Sequence, residues 1–340
     1  MLIVTGNKPL MEGRMKINKK FALLSIFGVL LLGLIALPIA RAQNNQGSGS
    51  GLLLSPTRTE IGGQPGEKKT FSITVKNVTN GNVVAKAVVN DFESDGVSGS
   101  PKLIVDETRE KTPYSIKSMV SGVEDIPLKA GETKEANFSI DIPANVSPGA
   151  YFGAIRYSAI PEDQAKAGND QVSLTASVAH LVFVEVPGDV VQSIKIEALE
   201  VQSKDGKKAS IFKLPITASV KITNLGNGFS RPFGKLTITK GSKTILSDEI
   251  NNIDPKGIVL PNSSRTFSND VKGVSAPGKY TVSAGVAYGN GGEVVTYENT
   301  FWYLPLWFVA VLILILIVLI VGGSMVYKKV SNKSFRKSGK

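Results

Sequence analysis

Leu306–Val326 is a run of 21 residues without a charged side chain. As a helix it is long enough to cross the ~30 Å of hydrocarbon in a bilayer. It constrains the whole chain, because everything N-terminal to it is then expected on one side of a membrane. Trp302, Tyr303 and Trp307 border one end of the run, and Lys328, Lys329, Lys333, Arg336, Lys337 and Lys340 follow the other. Basic residues stay on the cytoplasmic side of a span. The expected topology is therefore a single span at 302–327, a basic cytoplasmic tail at 328–340 and an extracytoplasmic remainder. A sortase-type sorting signal would place LPxTG before the span, and "YLPLW" lacks the Thr-Gly.

The N-terminal end is also membrane-directed. Lys16, Lys19 and Lys20 precede the apolar stretch 21–37, and "ARA" at 40–42 has the small-x-small form of a signal cleavage site. Residues 1–42 are read as a signal peptide region with Met15 as the start and cleavage after Ala42. An uncleaved anchor is the alternative. The stretch 43–51, "QNNQGSGSG", is too polar and too rich in Gly and Ser to fold, and reads as a flexible linker.

These two ends account for the basicity. The chain has 39 Lys and Arg against 28 Asp and Glu, but twelve of the bases and one acid lie in 1–42 and 304–340. The middle balances at 27 and 27, so no electrostatic footprint for nucleic acid remains. Cysteine is absent, and the exported part must be held by ordinary apolar cores rather than disulfides. The Asn-x-Ser/Thr sites at Asn77, Asn137, Asn145 and Asn262 carry little weight for a chain whose signal reads as bacterial.

Within 52–303 apolar residues recur with period two. In "TFSITVKNV", Phe71, Ile73 and Val75 fall on one face; 137–143, 218–224, 235–241 and 280–288 alternate in the same way. Short alternating segments broken by Gly, Pro, Asn and Asp predict antiparallel β-sandwiches. No amphipathic helix is predicted in this region. The fold class is therefore all-β, with tandem Ig-like sandwiches followed by one transmembrane helix. A repeated layout supports the tandem reading. Asn-x-x-Asn-Gly ends a strand at 77–81 and again at 224–228. Phe-Ser stands ten residues before a Pro-Gly-x-Tyr at both 148–151 and 277–280. The boundaries are set at 52–190 and 191–301. Pro148, Gly149, Tyr151, Pro277, Gly278 and Tyr280 are landmarks of one corner used twice, each Tyr placed like the tyrosine corner of Ig-like sandwiches.

Signatures of catalysis are scarce. With His180 as the one histidine and no cysteine, common zinc sites and Cys–His pairs are excluded, and a Ser-His-Asp triad would have to use His180. Asp91, Glu93 and Asp95 before Gly96 match the opening of a calcium loop, but Lys102 stands where the twelfth-position Glu belongs. Those three residues are a calcium candidate set beside the plainer reading of a strand end and polar turn. No cofactor is expected.

Several short motifs resemble a known family. Ser55-Pro56, Glu60, Pro65-Gly66-Glu67, Asn77, Asp91-Phe92, Leu128, Gly131-Glu132, Ile140, Pro143, Pro148-Gly149 and Gly153-Ala154-Ile155 are similar to the peptidoglycan-binding domain of WxL-interacting bacterial surface proteins. The resemblance covers about 52–160. It implies an Ig-like domain that attaches to cell-wall glycan and to partner surface proteins.

The expectation is a non-enzymatic protein of the bacterial cell membrane, binding peptidoglycan or surface proteins through two sandwich modules. A structural stalk or a chaperone-like scaffold for secreted proteins is the alternative, and a glycan-processing enzyme a more distant one.

Overall fold

Residues 51–106, 108–166, 176–289 and 292–337 are described by a computed structural model. The predicted signal peptide and nearly all of the predicted linker lie outside the described residues. Alternating apolar side chains need a partner layer to bury them, and the chain supplies two such pairs of sheets.

In chain order the first sandwich consists of β1 (Leu52–Ser55), β2 (Arg58–Gly62), β3 (Lys68–Asn77), β4 (Val83–Ser94), β5 (Pro101–Ile104), β6 (Val120–Ser121), β7 (Ile126–Leu128), β8 (Thr133–Asp141), β9 (Gly149–Pro161) and β10 (Ser177–Val186). One sheet runs β1-β3-β8-β6; the other runs β2-β10-β9-β4-β5, with β7 also on β4. Ile73, Val75, Phe138, Ile140, Ile155, Tyr157, Val182 and Val184 meet between the sheets as a buried core. The first strand changes sheets at Ser55-Pro56: β1 pairs antiparallel with β3, and β2 pairs parallel with β10.

The second sandwich contains β11 (Ile194–Gln202), β12 (Thr217–Asn224), β13 (Phe233–Lys240), β14 (Lys243–Ile250), β15 (Ser264–Asp270), β16 (Gly278–Tyr288) and β17 (Glu293–Tyr303). Its sheets run β11-β12-β15 and β14-β13-β16-β17, enclosing Val220, Ile222, Leu236, Ile238, Tyr280, Val282 and Val286. The wiring repeats: β3-β8 and β10-β9-β4 of the first sandwich correspond to β12-β15 and β17-β16-β13 of the second.

The repeated sequence signs are repeated bonds. Asn77 donates its amide to Gly81 O and accepts from the Thr79 amide; Asn224 donates to Gly228 O and accepts from the Gly226 amide. Both Asn side chains are buried, so each closes its own turn from inside. At the corners, Tyr151 donates to Ser147 O (2.9 Å) and Tyr280 to Ala276 O (2.7 Å), each four residues back.

Two elements differ from the expectation. A five-residue helix, α1 (Glu162–Lys166), opens the polar β9–β10 connection where no helix was predicted; acidic Glu162 and Asp163 in its first turn suit the positive end of a helix. The C-terminal helix α2 (Leu306–Lys337) continues ten residues beyond the predicted boundary at 327. Its stretch 328–337 contains neither Gly nor Pro to stop it. The part Leu306–Tyr327 has a mean hydropathy of 3.2 and is the candidate span.

Candidate binding cleft at the seam of two sandwiches

Strand β9 is apolar on both faces. Ile155, Tyr157 and Ala159 face the first core, while Ala150, Phe152 and Ala154 face away from it and are also buried. Phe183 on β10 and Phe92 on β4 join that outer face. Such two-sided burial requires a second covering layer, which the second sandwich provides with Phe229, Ile258 and Leu260. The aromatic rings interlock: Phe183 meets Phe229 edge-on with centroids 5.5 Å apart, and Phe92 lies 5.0 Å from Phe152. These spacings fall in the favourable range for ring pairs.

Polar contacts fix the seam at its margins. The Ala150 amide donates to Asn227 O (2.9 Å), and Asn227 Nδ2 donates to Pro148 O (3.2 Å). Arg231 pairs with Glu60 at 2.7 Å and Glu185 at 3.4 Å. On the far margin the Thr266 amide donates to Val97 O, and Ser94 Oγ to Ser264 O. Gly99 permits this approach, because a Cβ there would lie 2.5 Å from Arg265 Cδ.

The cleft arises where a sheet splits. Pairing of β4 with β9 ends at Asn90↔Ala154. Residues 112–117 fill the wedge: the Phe152 amide donates to Tyr114 O, and buried Asp91 accepts from Ser115 Oγ (2.6 Å) and the Thr112 amide (3.2 Å). Between this segment, the end of β4 and the loop before β15 lies an open cleft of about 510 Å³. Phe92, Tyr114, Phe152 and Leu260 provide apolar and aromatic surface, and Glu93, Arg109, Thr112, Asn262 and Ser263 provide polar groups. Tyr114 stacks on Phe152 at 5.5 Å and 17°, and its hydroxyl accepts from Asn262 Nδ2 (2.7 Å). The cleft is thus shared by both sandwiches.

The structure sends the three calcium candidates to separate duties. Asp91 holds the wedge and lies 3.8 Å from Lys117; Glu93 pairs with Arg109 (3.5 Å) and Lys102 (3.9 Å). Asp95 accepts the amides of Val97, Ser98 and Gly99. The Ser98 hydroxyl, which also donates to it, together with those amides holds its carboxyl well below the usual carboxylate range. Among the described residues no group of three or more His, Cys, Asp or Glu side chains is placed to hold a metal.

His180 is buried, stacks on Phe71 and faces Pro56 O through Nδ1 at 2.8 Å. Burial pushes its pKa down, and the bond to Pro56 only partly opposes this. It does not line the cleft.

Pro148 and Gly149 lie on the seam, beside Asn227. Pro277 and Gly278 border Lys240, whose ammonium donates to Pro277 O (2.8 Å) and sits 5.6 Å over the Tyr280 ring. The two corners therefore differ in surroundings, although their internal bonds match. Sequence reasoning missed the seam. Its sign was the two-sided apolarity of "GAYFGAI" and "HLVFVEV", which a half-exposed strand would not show.

No family model matches the chain, and no curated protein matches it. Similar solved structures include the class 5 fimbriae chaperone CfaA, 13% identical over 75% of this chain and 99% of that one, with a TM-score of 0.33. The Escherichia coli chaperone DraB is 18% identical over 74% and 98%, with a TM-score of 0.32. The Pseudomonas aeruginosa chaperone CupB2 is 12% identical over 73% and 99%, also at 0.32. These are distant likenesses of β-sandwich fold.

The expected kinship with WxL-interacting proteins is corrected by these comparisons, since no family model matches the chain. The motifs that suggested it have structural duties. Gly66, at φ 84°, belongs to a turn in which Glu67 Oε2 accepts the Gln64 amide. Glu132 likewise closes the Lys129 turn, and Pro148-Gly149 with Tyr151 builds a corner. Turn and corner residues of this kind suit sandwiches in general.

Proposed function

We propose that this chain is a membrane-anchored, extracytoplasmic scaffold, chaperone-like in action, that holds an extended apolar segment of a partner protein in the cleft between its two sandwiches. The observation that carries this reading is the cleft itself, with the half-buried Tyr114 ring as its aromatic surface above the buried Phe92 and Phe152, and a polar rim at Glu93, Arg109 and Asn262. Its volume lies within the usual range for binding pockets, roughly 300–1,000 Å³, enough for a few side chains of an extended strand. The aromatic surface favours an apolar or aromatic side chain.

Binding rather than chemistry is the role assigned, since the titratable side chains lining the cleft are the Glu93–Arg109 pair and the Tyr114 phenol. The Leu306–Tyr327 segment anchors the protein, with the sandwiches outside and the basic tail inside.

The test presents detergent-solubilised full-length protein to an array of extended peptides and, separately, to purified peptidoglycan. Retention of apolar-rich peptides, weakened by Tyr114→Ala, is the expected result. Sedimentation with peptidoglycan and indifference to every peptide would refute the scaffold reading.

A further inference from the structure

The β11–β12 connection, residues 203–216, is unlike the other described loops in what it exposes. Its first part is an ordinary turn: the Ala209 amide donates to Val201 O, and Ser203 and Lys207 close on each other. Its second part, "SIFKLPI", sends apolar side chains into solvent. Phe212 is 51% and Leu214 47% exposed, and Ile211 and Ile216 are exposed as well. Isolated exposed apolar residues need no explanation, but four within six positions do.

The position of the loop supplies one. The Leu304 amide donates to Ile211 O at 2.6 Å. Leu304 lies two residues before α2 begins, between exposed Trp302 and exposed Trp307. The apolar loop is therefore tied by its backbone to the point where the candidate span starts. Lys204, Lys207, Lys208 and Lys213 flank the apolar residues, with Asp205 as the one acid from 203 to 216. Aromatic and aliphatic side chains with lysines beside them are the composition of an element that lies in a headgroup region.

We infer that residues 210–216 dip into the outer leaflet next to α2, making a second, non-spanning membrane contact that holds the second sandwich against the bilayer. The inference rests on the reading of Leu306–Tyr327 as a span. Lipid is the occupant to which the surface commits: it adjoins the span, it is apolar at its centre, and its net positive edge complements anionic headgroups.

The absence of cysteine allows a clean test on the full chain reconstituted in phosphatidylcholine–phosphatidylglycerol vesicles. Single variants Phe212→Cys, Leu214→Cys, Leu312→Cys and Val294→Cys each carry an environment-sensitive dye, and brominated lipids serve as quenchers. Leu312 lies within the span, and exposed Val294 sits at the far end of β17. Emission at Phe212→Cys and Leu214→Cys should drop at least about twofold on bromination, as at Leu312→Cys, with no loss at Val294→Cys. Quenching at Leu312→Cys alone would overturn the loop inference and leave the span standing. No quenching at Leu312→Cys would overturn the span and this inference together.

Discussion

The backbone carbonyl of Asn227 in the second sandwich accepts the amide of Ala150 in the first at 2.9 Å, beside Gly149. That contact makes the Pro-Gly-x-Tyr corner of the first sandwich part of a joint, whereas its counterpart at 277–280 borders Lys240. A Cβ on Gly149 would come within 2.9 Å of the Asn227 carbonyl, and one on Gly278 within 3.1 Å of the flexible Lys240 side chain. Both glycines have φ near +140°, so Ala at either costs about 1–3 kcal/mol in backbone strain. Gly149→Ala should cost more than Gly278→Ala, since the obstruction at Gly149 is backbone. Thermal unfolding of the two variants measures the difference; equal losses would remove Asn227 from the joint.

The seam itself can be weakened without opening either core. Phe229 packs on Phe152 and Phe183 across it and belongs to neither main core. Phe229→Ala should cost about 3–5 kcal/mol, as for other buried aromatic truncations. The loss should appear in calorimetry as one unfolding transition separating into two. Arg231→Ala should do much less, roughly 1 kcal/mol or below, because its ion pairs with Glu60 and Glu185 are partly exposed.

Three tyrosines divide by what their hydroxyls do. Tyr151 and Tyr280 each donate to a carbonyl, so conversion to Phe should cost about 0.5–1.5 kcal/mol at each. The Tyr157 hydroxyl is buried without a partner, and burial, with Asp125 nearby, pushes its pKa up to about 12. Tyr157→Phe removes a desolvated, unpaired group and should be neutral or stabilising. Denaturant midpoints for the three variants check the contrast.

How much of this was legible in the sequence depended on which faces a strand buries. Strands with one wet face, such as β3 and β16, announced themselves through alternation, and the Asn-x-x-Asn-Gly turns and Tyr corners followed from local chemistry. The cleft was not legible, because it is made by residues far apart in the chain, Phe92, Tyr114, Phe152 and Leu260. Only the doubly apolar β9 and β10 hinted that another layer covers that sheet. The acids of "DFESDG" looked like a ligand set because their spacing was visible. Their partners Ser115, Arg109 and the 97–99 amides were not.

Stability should depend on pH through His180. Burial lowers its folded pKa below an ordinary value near 6.5, so the folded chain resists a proton that the unfolded chain accepts. Stability is therefore full above that value and is lost as the pH falls from it toward the depressed native pKa. The Tm should decline as the pH falls below about 6.5, and His180→Gln should flatten the decline. With one histidine in the chain, no other imidazole contributes to that window.

The central claim is that the inter-sandwich cleft holds an extended protein segment. Its most direct measurement is fluorescence anisotropy of a labelled, apolar-rich extended peptide titrated with the full-length protein, beside Tyr114→Ala and Arg109→Ala. Saturable binding, reduced tenfold or more by Tyr114→Ala, a cost of about 1.4 kcal/mol, and less by the rim variant Arg109→Ala, is the predicted result. Equal binding by all three proteins, or none by the unaltered chain, would contradict it.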